Sequence, residues 1–107
     1  MKTADFRSGP RFSQDKMQRT PILSTKRVSA DLYCFESGQN QRAHKHDDAD
    51  KMYFVLEGTG RFTVGRTTRE FKAGSAILAP SGEEHGLVNM AEERLVVLVI
   101  TTPPSEK

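Results

Sequence analysis

Apolar and polar residues alternate with a period of two along much of the chain. The clearest segment is 27–35, where Val28, Ala30, Leu32 and Cys34 occupy every second position. A strand with one buried face and one solvated face shows this alternation. The segment is therefore predicted to be a strand in which Cys34 is a small buried apolar side chain rather than a reactive thiol, because no basic residue flanks it.

Other short segments that are rich in apolar and β-branched residues end at glycine or proline. Predicted strands cover the two histidines at 44–46 and the segments 52–56, 61–64, 67–71, 76–79, 85–88 and 94–100. Turns are predicted at 58–60, 65–66 and 80–82, where glycine or proline recurs. About nine strands at this spacing, without an amphipathic helix, are typical of an all-β sandwich or barrel.

Residues 1–26 show neither a helical nor a strand period, and Pro10 and Pro21 interrupt them. We expect an N-terminal arm that lies across the body or across a partner subunit, with a frayed basic terminus as the alternative. The predicted organisation is the arm at 1–26, one barrel domain at 27–102 and a C-terminal tail at 103–107.

Composition narrows the class of protein. A chain of 107 residues with 16 Lys+Arg against 14 Asp+Glu has a net charge of +2, which does not indicate nucleic-acid binding. No apolar segment approaches the roughly 18 residues of a membrane span, and an apolar signal-peptide core is missing near Met1. One cysteine cannot form an internal disulfide, so we expect a cytoplasmic protein.

The candidate chemistry begins with three histidines. His44 and His46 are separated by one residue, so on a strand both side chains would project from the same face. His85 is the remaining histidine of the chain. Imidazole ligands suit Zn, Cu, Fe or Ni better than Mg or Ca, so the expected cofactor is a divalent transition metal, one of Fe, Zn, Ni, Cu or Mn.

Two spaced motifs give these histidines a context. Gly38–His46, GQNQRAHKH, has a glycine, five residues and then the two histidines, and GSAILAPSGEEHGLVN follows at Gly74–Asn89. The pair resembles the two motifs of the cupin superfamily, in particular its small single-domain bacterial members. The resemblance implies a double-stranded β-helix, or jelly-roll barrel, in which His44, His46 and His85 face inward and bind a divalent metal.

The sequence departs from that family at the fourth ligand, where cupins usually carry a glutamate. Counting back from Gly58, the position is occupied by Lys51, and Asp50 lies one residue out of step. A one-residue offset turns a strand side chain to the opposite face, so Asp50 can serve only if a bulge shifts the register. An ammonium about 5 Å from a dication is repelled by roughly 6 to 7 kcal/mol at an effective dielectric constant of about 20.

Four arrangements follow from this departure. The three histidines bind metal alone and leave positions open for water, substrate or oxygen, or Asp50 completes a four-ligand site. Alternatively, Lys51 holds an anionic ligand with metal absent or peripheral, or the site is an inherited shell with neither metal nor chemistry. If Lys51 points inward, alternation predicts the same for Tyr53, which then either donates a hydrogen bond to a ligand or lines the cavity wall.

Met52, Phe54 and Leu56 would then project from the opposite face and require a cover. A second subunit or the N-terminal arm would provide it, and the resemblance implies a homodimer. Two functional classes remain. The first is a metal-dependent enzyme of dioxygenase, isomerase or lyase type that acts on a small polar or anionic substrate, with Lys51 and Tyr53 as candidate catalytic residues. The second is a non-catalytic metal- or ligand-binding module without nucleic-acid or membrane partners.

Overall fold

The computed structural model describes residues 1–104, which form two antiparallel β-sheets. Nine strands follow a single turn of 3-10 helix at Phe6–Ser8. The strands are β1 (Gln18–Ser24), β2 (Ser29–Phe35), β3 (Asn40–His44), β4 (Asp50–Glu57), β5 (Thr59–Val64), β6 (Thr67–Lys72), β7 (Ala76–Ala79), β8 (His85–Val88) and β9 (Leu95–Thr102). The predicted all-β architecture is confirmed. No helix among the described residues is long and apolar enough to cross a membrane.

The core lies between the two sheets. The five-stranded sheet has the order β1-β2-β9-β4-β7, and the four-stranded sheet has the order β3-β8-β5-β6. Side chains from β2, β4, β5, β7, β8 and β9 point toward the opposite sheet and form one buried cluster: Tyr33, Phe35, Tyr53, Val55, Phe62, Ala79, Leu87, Leu95, Val97 and Val99. This is the jelly-roll barrel expected from the sequence, with the β-branched strand β9 at the centre of the larger sheet.

The N-terminal segment contributes more regular structure than its sequence pattern predicted. Its second half forms β1, which pairs antiparallel with β2 and adds an edge strand to the larger sheet. A register shift between Pro21 and Leu23 breaks the alternation, which explains why no strand period was visible. Residues 105–107 of the predicted C-terminal tail lie outside the described residues, and the boundaries of arm, domain and tail stay predictions.

The outer face of the larger sheet carries a second, smaller apolar cluster. Leu32, Cys34 and Val96 are buried there, and Phe12 from the N-terminal segment packs against them. Cys34 is fully buried, as predicted, and burial raises the pKa of its thiol. The N-terminal segment therefore covers one part of this face.

Strand β3 contains a bulge that determines which of its side chains enter the barrel. Gln41 pairs with Leu87 and His44 with His85, so three steps along β3 match two steps along β8. The glycine opposite the bulge, Gly86, has no space for a side chain, because a Cβ there would lie 2.8 Å from the Ala43 nitrogen and the Gln41 carbonyl oxygen. The bulge thus lets both Gln41 and His44 share the inner face.

Candidate metal centre

The structure brings the three histidines together at one end of the barrel. His44 lies at the end of β3 and His85 at the start of β8, and the two are register partners. His46 follows β3 in the connecting segment rather than on the strand, and its carbonyl oxygen accepts a hydrogen bond of 2.7 Å from the Gly82 nitrogen. One ligand atom from each histidine lies within 4.8 Å of the other two. Among residues 1–104, these three side chains form a group that could hold a metal ion.

His85 is the most deeply buried member of the group, with 2% of its surface exposed. Its Nδ1 lies 3.0 Å from the Glu83 carbonyl oxygen, and because a carbonyl only accepts, Nδ1 carries the proton and donates. Burial lowers the pKa of His85 to about 4, and the charges of His44 and Lys51 act in the same direction. At neutral pH His85 therefore presents the lone pair of Nε2.

His44 shows the same arrangement. Its Nδ1 lies 2.9 Å from the Arg42 carbonyl oxygen and donates to it, which leaves Nε2 as the available nitrogen. The His44 ring centroid lies 4.7 Å from that of His46 and 4.4 Å from that of His85. Backbone carbonyls that fix the tautomer of metal-binding histidines are a general feature of such sites.

These residues fit a transition metal. The Nε2 atom of His85 is buried and has no hydrogen-bond partner, a costly state for a polar atom unless something binds it. All three donors are imidazoles, which suit Zn, Fe, Ni or Cu and make a poor site for Mg or Ca. His44, His46 and His85 could therefore hold a divalent transition metal ion.

Lys51 points into the barrel, as the alternation on β4 predicted. Its side chain is 6% exposed, and its Nζ donates a hydrogen bond of 3.3 Å to the Tyr33 hydroxyl. Burial lowers the pKa of Lys51 to about 8, the charge of Arg19 lowers it further, and Asp31 opposes the shift. The lysine therefore retains its charge at pH 7 while lying within electrostatic range of His85.

Tyr53 also faces inward and is fully buried. Its hydroxyl donates a hydrogen bond of 3.3 Å to the Gln41 side-chain oxygen, and its ring centroid lies 6.4 Å from that of His85. Burial raises the pKa of Tyr53, so the hydroxyl keeps its proton and acts as a donor. It lines the wall beside the histidines, one of the two placements that the sequence left open.

The structure does not bring Asp50 into the histidine group. Its side chain is exposed, and its Oδ1 accepts a hydrogen bond of 2.8 Å from the Ser81 backbone nitrogen. Asp50 and Lys51 pair in unbroken register with Thr102 and Thr101 of β9, so no bulge turns Asp50 inward. The aspartate instead ties β4 to the turn that precedes His85.

Sequence reasoning missed three residues near this group. Gln41 is buried beside Tyr53, and Tyr33 and Arg19 lie next to Lys51. Regular alternation puts Gln41 on the opposite face from His44, and only the bulge reverses this. The position of Tyr33 depends on the pairing of β2 with β9, which no local pattern encodes.

Comparison with known proteins agrees with this geometry. The family model for the cupin domain matches residues 31–101, a span that contains all three histidines. An uncharacterised protein of Streptomyces coelicolor is 33% identical over 83 residues, covering 78% of this chain and 77% of the relative.

Two further proteins are similar to this chain. The crystal structure of TT1209 from Thermus thermophilus is 34% identical, with a TM-score of 0.93 over 96% of this chain and 98% of that one. Dimethylsulfoniopropionate lyase DddW of Ruegeria pomeroyi is 34% identical over 74 residues, covering 65% of this chain and 48% of the relative. The chain thus matches about half the length of that lyase.

Proposed function

The chain belongs to the cupin family, and from this premise we propose that it is a metal-dependent enzyme acting on a small polar or anionic substrate. The observation that carries the proposal is the buried, unpartnered Nε2 of His85 within a group of three imidazoles. We assign His44, His46 and His85 as the ligands of a divalent transition metal. A bound metal of this kind would supply Lewis acidity toward a substrate oxygen.

The residues around the group support a role in binding and orientation. Tyr53 keeps its proton and presents a donor beside the histidines, where its hydroxyl now bonds Gln41. Lys51 presents a charged ammonium that acts electrostatically on His85. The two sheets exclude water from the inner side of the site, which strengthens both interactions. We therefore propose that Tyr53 and Lys51 contact the substrate.

Within the enzyme classes that the sequence allows, we favour a lyase. The relative DddW is a dimethylsulfoniopropionate lyase by name, and its similarity to this chain covers 65% of the chain. A lyase needs groups that polarise an oxygen and orient a small substrate, and the inward-facing residues provide donors for both. A dioxygenase is the competing class, because three imidazoles also suit iron.

The metal assignment is tested by elemental analysis of the purified protein. We expect about one equivalent of transition metal per chain, as a single mononuclear site requires. His85→Ala should lose the metal while its far-UV circular dichroism spectrum stays unchanged. The exposed Lys45 lies between the two other histidines, so Lys45→Ala is the matched control and should retain the metal. Full occupancy in His85→Ala would show that the ligand assignment is wrong.

The reaction class is tested with the metal-loaded protein. Consumption of dimethylsulfoniopropionate and related small carboxylates without oxygen uptake would support a lyase. Oxygen uptake with the ferrous protein and small thiols, catechols or diketones would instead support a dioxygenase. Tight binding of such compounds without turnover of any of them would contradict the enzyme proposal and favour a non-catalytic binding module.

We also propose that the protein forms a homodimer through the outer face of the larger sheet. Part of this face is not covered by the N-terminal segment. The exposed apolar side chains there are Met52 (39%), Leu56 (36%) and Leu78 (56%). Exposed apolar side chains grouped on one face favour an interface. Sedimentation equilibrium should give a dimer, and Leu78→Lys should give a monomer. A wild-type protein that is monomeric at all concentrations would contradict the homodimer proposal. The cytoplasmic location stays a prediction.

A further inference from the structure

A cavity of about 660 Å³ opens beside Lys51, on the side of β1 and β2. Its wall includes Arg19, Asp31, Tyr33, Lys51 and Thr101. The volume lies within the range of roughly 300 to 1,000 Å³ that is usual for small-molecule sites. None of the three histidines lines this cavity, but Lys51, which we propose contacts the substrate, does.

Two cations meet in this cavity on a single aromatic ring. The Arg19 guanidinium carbon lies 5.0 Å from the centroid of Tyr33, and the Lys51 Nζ lies 5.7 Å from the same centroid. The salt bridges between described residues involve neither Arg19 nor Lys51, so no carboxylate oxygen there lies within 4.0 Å of either cation. A buried ammonium that has only a phenol as its partner is incompletely compensated.

A second buried donor adjoins this pair. Gln41 is 8% exposed, and its Nε2 has no hydrogen-bond partner, while its Oε1 accepts from Tyr53. The Gln41 amide lies beside the Tyr33 hydroxyl. Burial raises the pKa of Tyr33, and the Gln41 side chain opposes this rise. A buried amide donor and an ammonium without a carboxylate partner thus flank one tyrosine, and both could donate to the oxygens of an anion.

The charge and the donors of the cavity select the kind of anion. Lys2, Arg19 and Lys51 contribute three positive charges and Asp31 one negative charge, so the lining has a net charge of +2. Lys2 is exposed and donates to the Ser24 carbonyl oxygen at 3.3 Å. The lining therefore favours an anion, and the two oxygens of a carboxylate match the two buried donors, Lys51 and Gln41, whereas a phosphate would bring further charge close to Asp31.

We propose that Lys51, Arg19 and Gln41 form a subsite for a carboxylate, and that the cognate ligand is a small monocarboxylate. The carboxylate oxygens accept from the Lys51 ammonium and the Gln41 amide, and Arg19 contributes its charge from the rim. This inference rests on the proposed function, because it identifies the substrate class of the same barrel end. It also gives a role to Lys51, which occupies the position where the family usually has a glutamate.

Propionate is the probe, because it carries one carboxylate and chelates metals weakly. The isotope-labelled full-length protein is titrated with sodium propionate at constant ionic strength, once with Zn²⁺ bound and once metal-free, and backbone amide shifts are followed by NMR. We expect saturable shifts at Tyr33, Gln41 and Lys51 in both forms. Lys51→Gln should bind propionate about tenfold more weakly, which corresponds to a loss of about 1.4 kcal/mol of binding free energy. Arg19→Gln should also weaken binding. Lys72→Gln is the matched control, because Lys72 is exposed on β6 of the other sheet.

The outcomes separate this inference from the proposed function. If the metal-free protein binds propionate and this binding depends on Lys51, the subsite is supported even if the protein never binds a metal. A metal-binding protein in which Lys51→Gln weakens propionate binding by less than about twofold would overturn the subsite and leave the metal assignment intact. Inorganic phosphate is titrated in parallel, and binding as tight as that of propionate would overturn the assignment to a monocarboxylate. Unchanged circular dichroism of each variant verifies the fold.

Discussion

Replacing Lys51 with methionine should stabilise the protein at neutral pH. Lys51 is 6% exposed, and the Tyr33 hydroxyl is its hydrogen-bond acceptor. Methionine has a similar length and volume, carries no charge and adapts readily to an irregular space. The variant therefore removes a buried charge without leaving a large cavity.

The size of the effect follows from the pKa of the lysine. The ordinary pKa of 10.5 is lowered to about 8 in the folded protein, chiefly by burial. At about 1.4 kcal/mol per pH unit, the protonated lysine destabilises the folded state by about 3 kcal/mol at pH 7. Loss of the hydrogen bond to Tyr33 offsets about 1 kcal/mol of this. We expect the free energy of unfolding of Lys51→Met to exceed that of the wild type by about 2 kcal/mol.

The same reasoning fixes the pH dependence. Between pH 8 and pH 10.5 the unfolded chain keeps the proton of this lysine, while the folded protein has lost it. The free energy of unfolding of the wild type therefore rises with pH in this window, and below pH 8 this group contributes no slope. Lys51→Met lacks that rise, so its advantage should shrink above pH 8 and approach zero near pH 10.

Urea unfolding of the metal-free proteins at pH 7, 8.5 and 9.5 measures both effects, because a bound metal would add its own stabilisation. The difference between variant and wild type cancels the titration of the tyrosines and of Cys34. Lys72→Met, on the exposed surface of β6, should change stability by less than about 0.5 kcal/mol. A Lys51→Met protein no more stable than the wild type at pH 7, or an advantage that stays constant to pH 9.5, would refute the reasoning.

Three further predictions concern the backbone and the turn beyond His85. Gly58 has φ +85°, and a Cβ there would collide with the Arg94 carbonyl oxygen, so Gly58→Ala should lower the free energy of unfolding by at least about 3 kcal/mol, measured by urea unfolding. Gly38→Ala is its control, because φ is +84° there but the space is open, and a loss of about 1 kcal/mol is expected; equal losses at the two sites would contradict the role of the collision. Gly86→Ala should push β3 away from β8 and weaken Zn²⁺ binding at least about tenfold in a chelator competition, and unchanged binding would show that the bulge does not position His44. Asn89 is fully buried and donates to the Phe35 and Glu93 carbonyl oxygens, so Asn89→Ala should cost about 2 to 3 kcal/mol of stability with metal binding retained, and loss of metal in a folded variant would contradict this structural role.

The sequence predicted several parts of this protein that depend on local periodicity, although the face of β2 that alternation predicted to be solvated carries Tyr33 and Phe35 of the main core. Alternation placed Lys51 and Tyr53 on the inner face of β4 and Met52 on the outer face, as the structure has them. The spacing of His44, His46 and His85 in two motifs predicted a group that the folded chain does bring together. The first signal depends on one strand at a time, and the second depends on the resemblance to a family in which the two motifs come together.

Prediction failed where register or irregular backbone decides the outcome. β1 was missed because its register shift after Pro21 removes the alternation. The histidine strand ends at His44, so His46 reaches the group from a connecting segment rather than from a regular strand. The contact between Lys51 and Tyr33 joins β4 to β2 across the intervening strand β9, a relationship that becomes visible only when the sheet is assembled.

The bulge in β3 has a consequence for how this barrel can diversify. With one residue fewer between Gln41 and His44, the strand would regain strict alternation and the two side chains would still share the inner face, because they would be two positions apart. The extra residue is accommodated on the outside of the barrel, where Arg42 and Ala43 are both exposed. This strand could therefore lose one residue at the bulge without separating the amide from the imidazole.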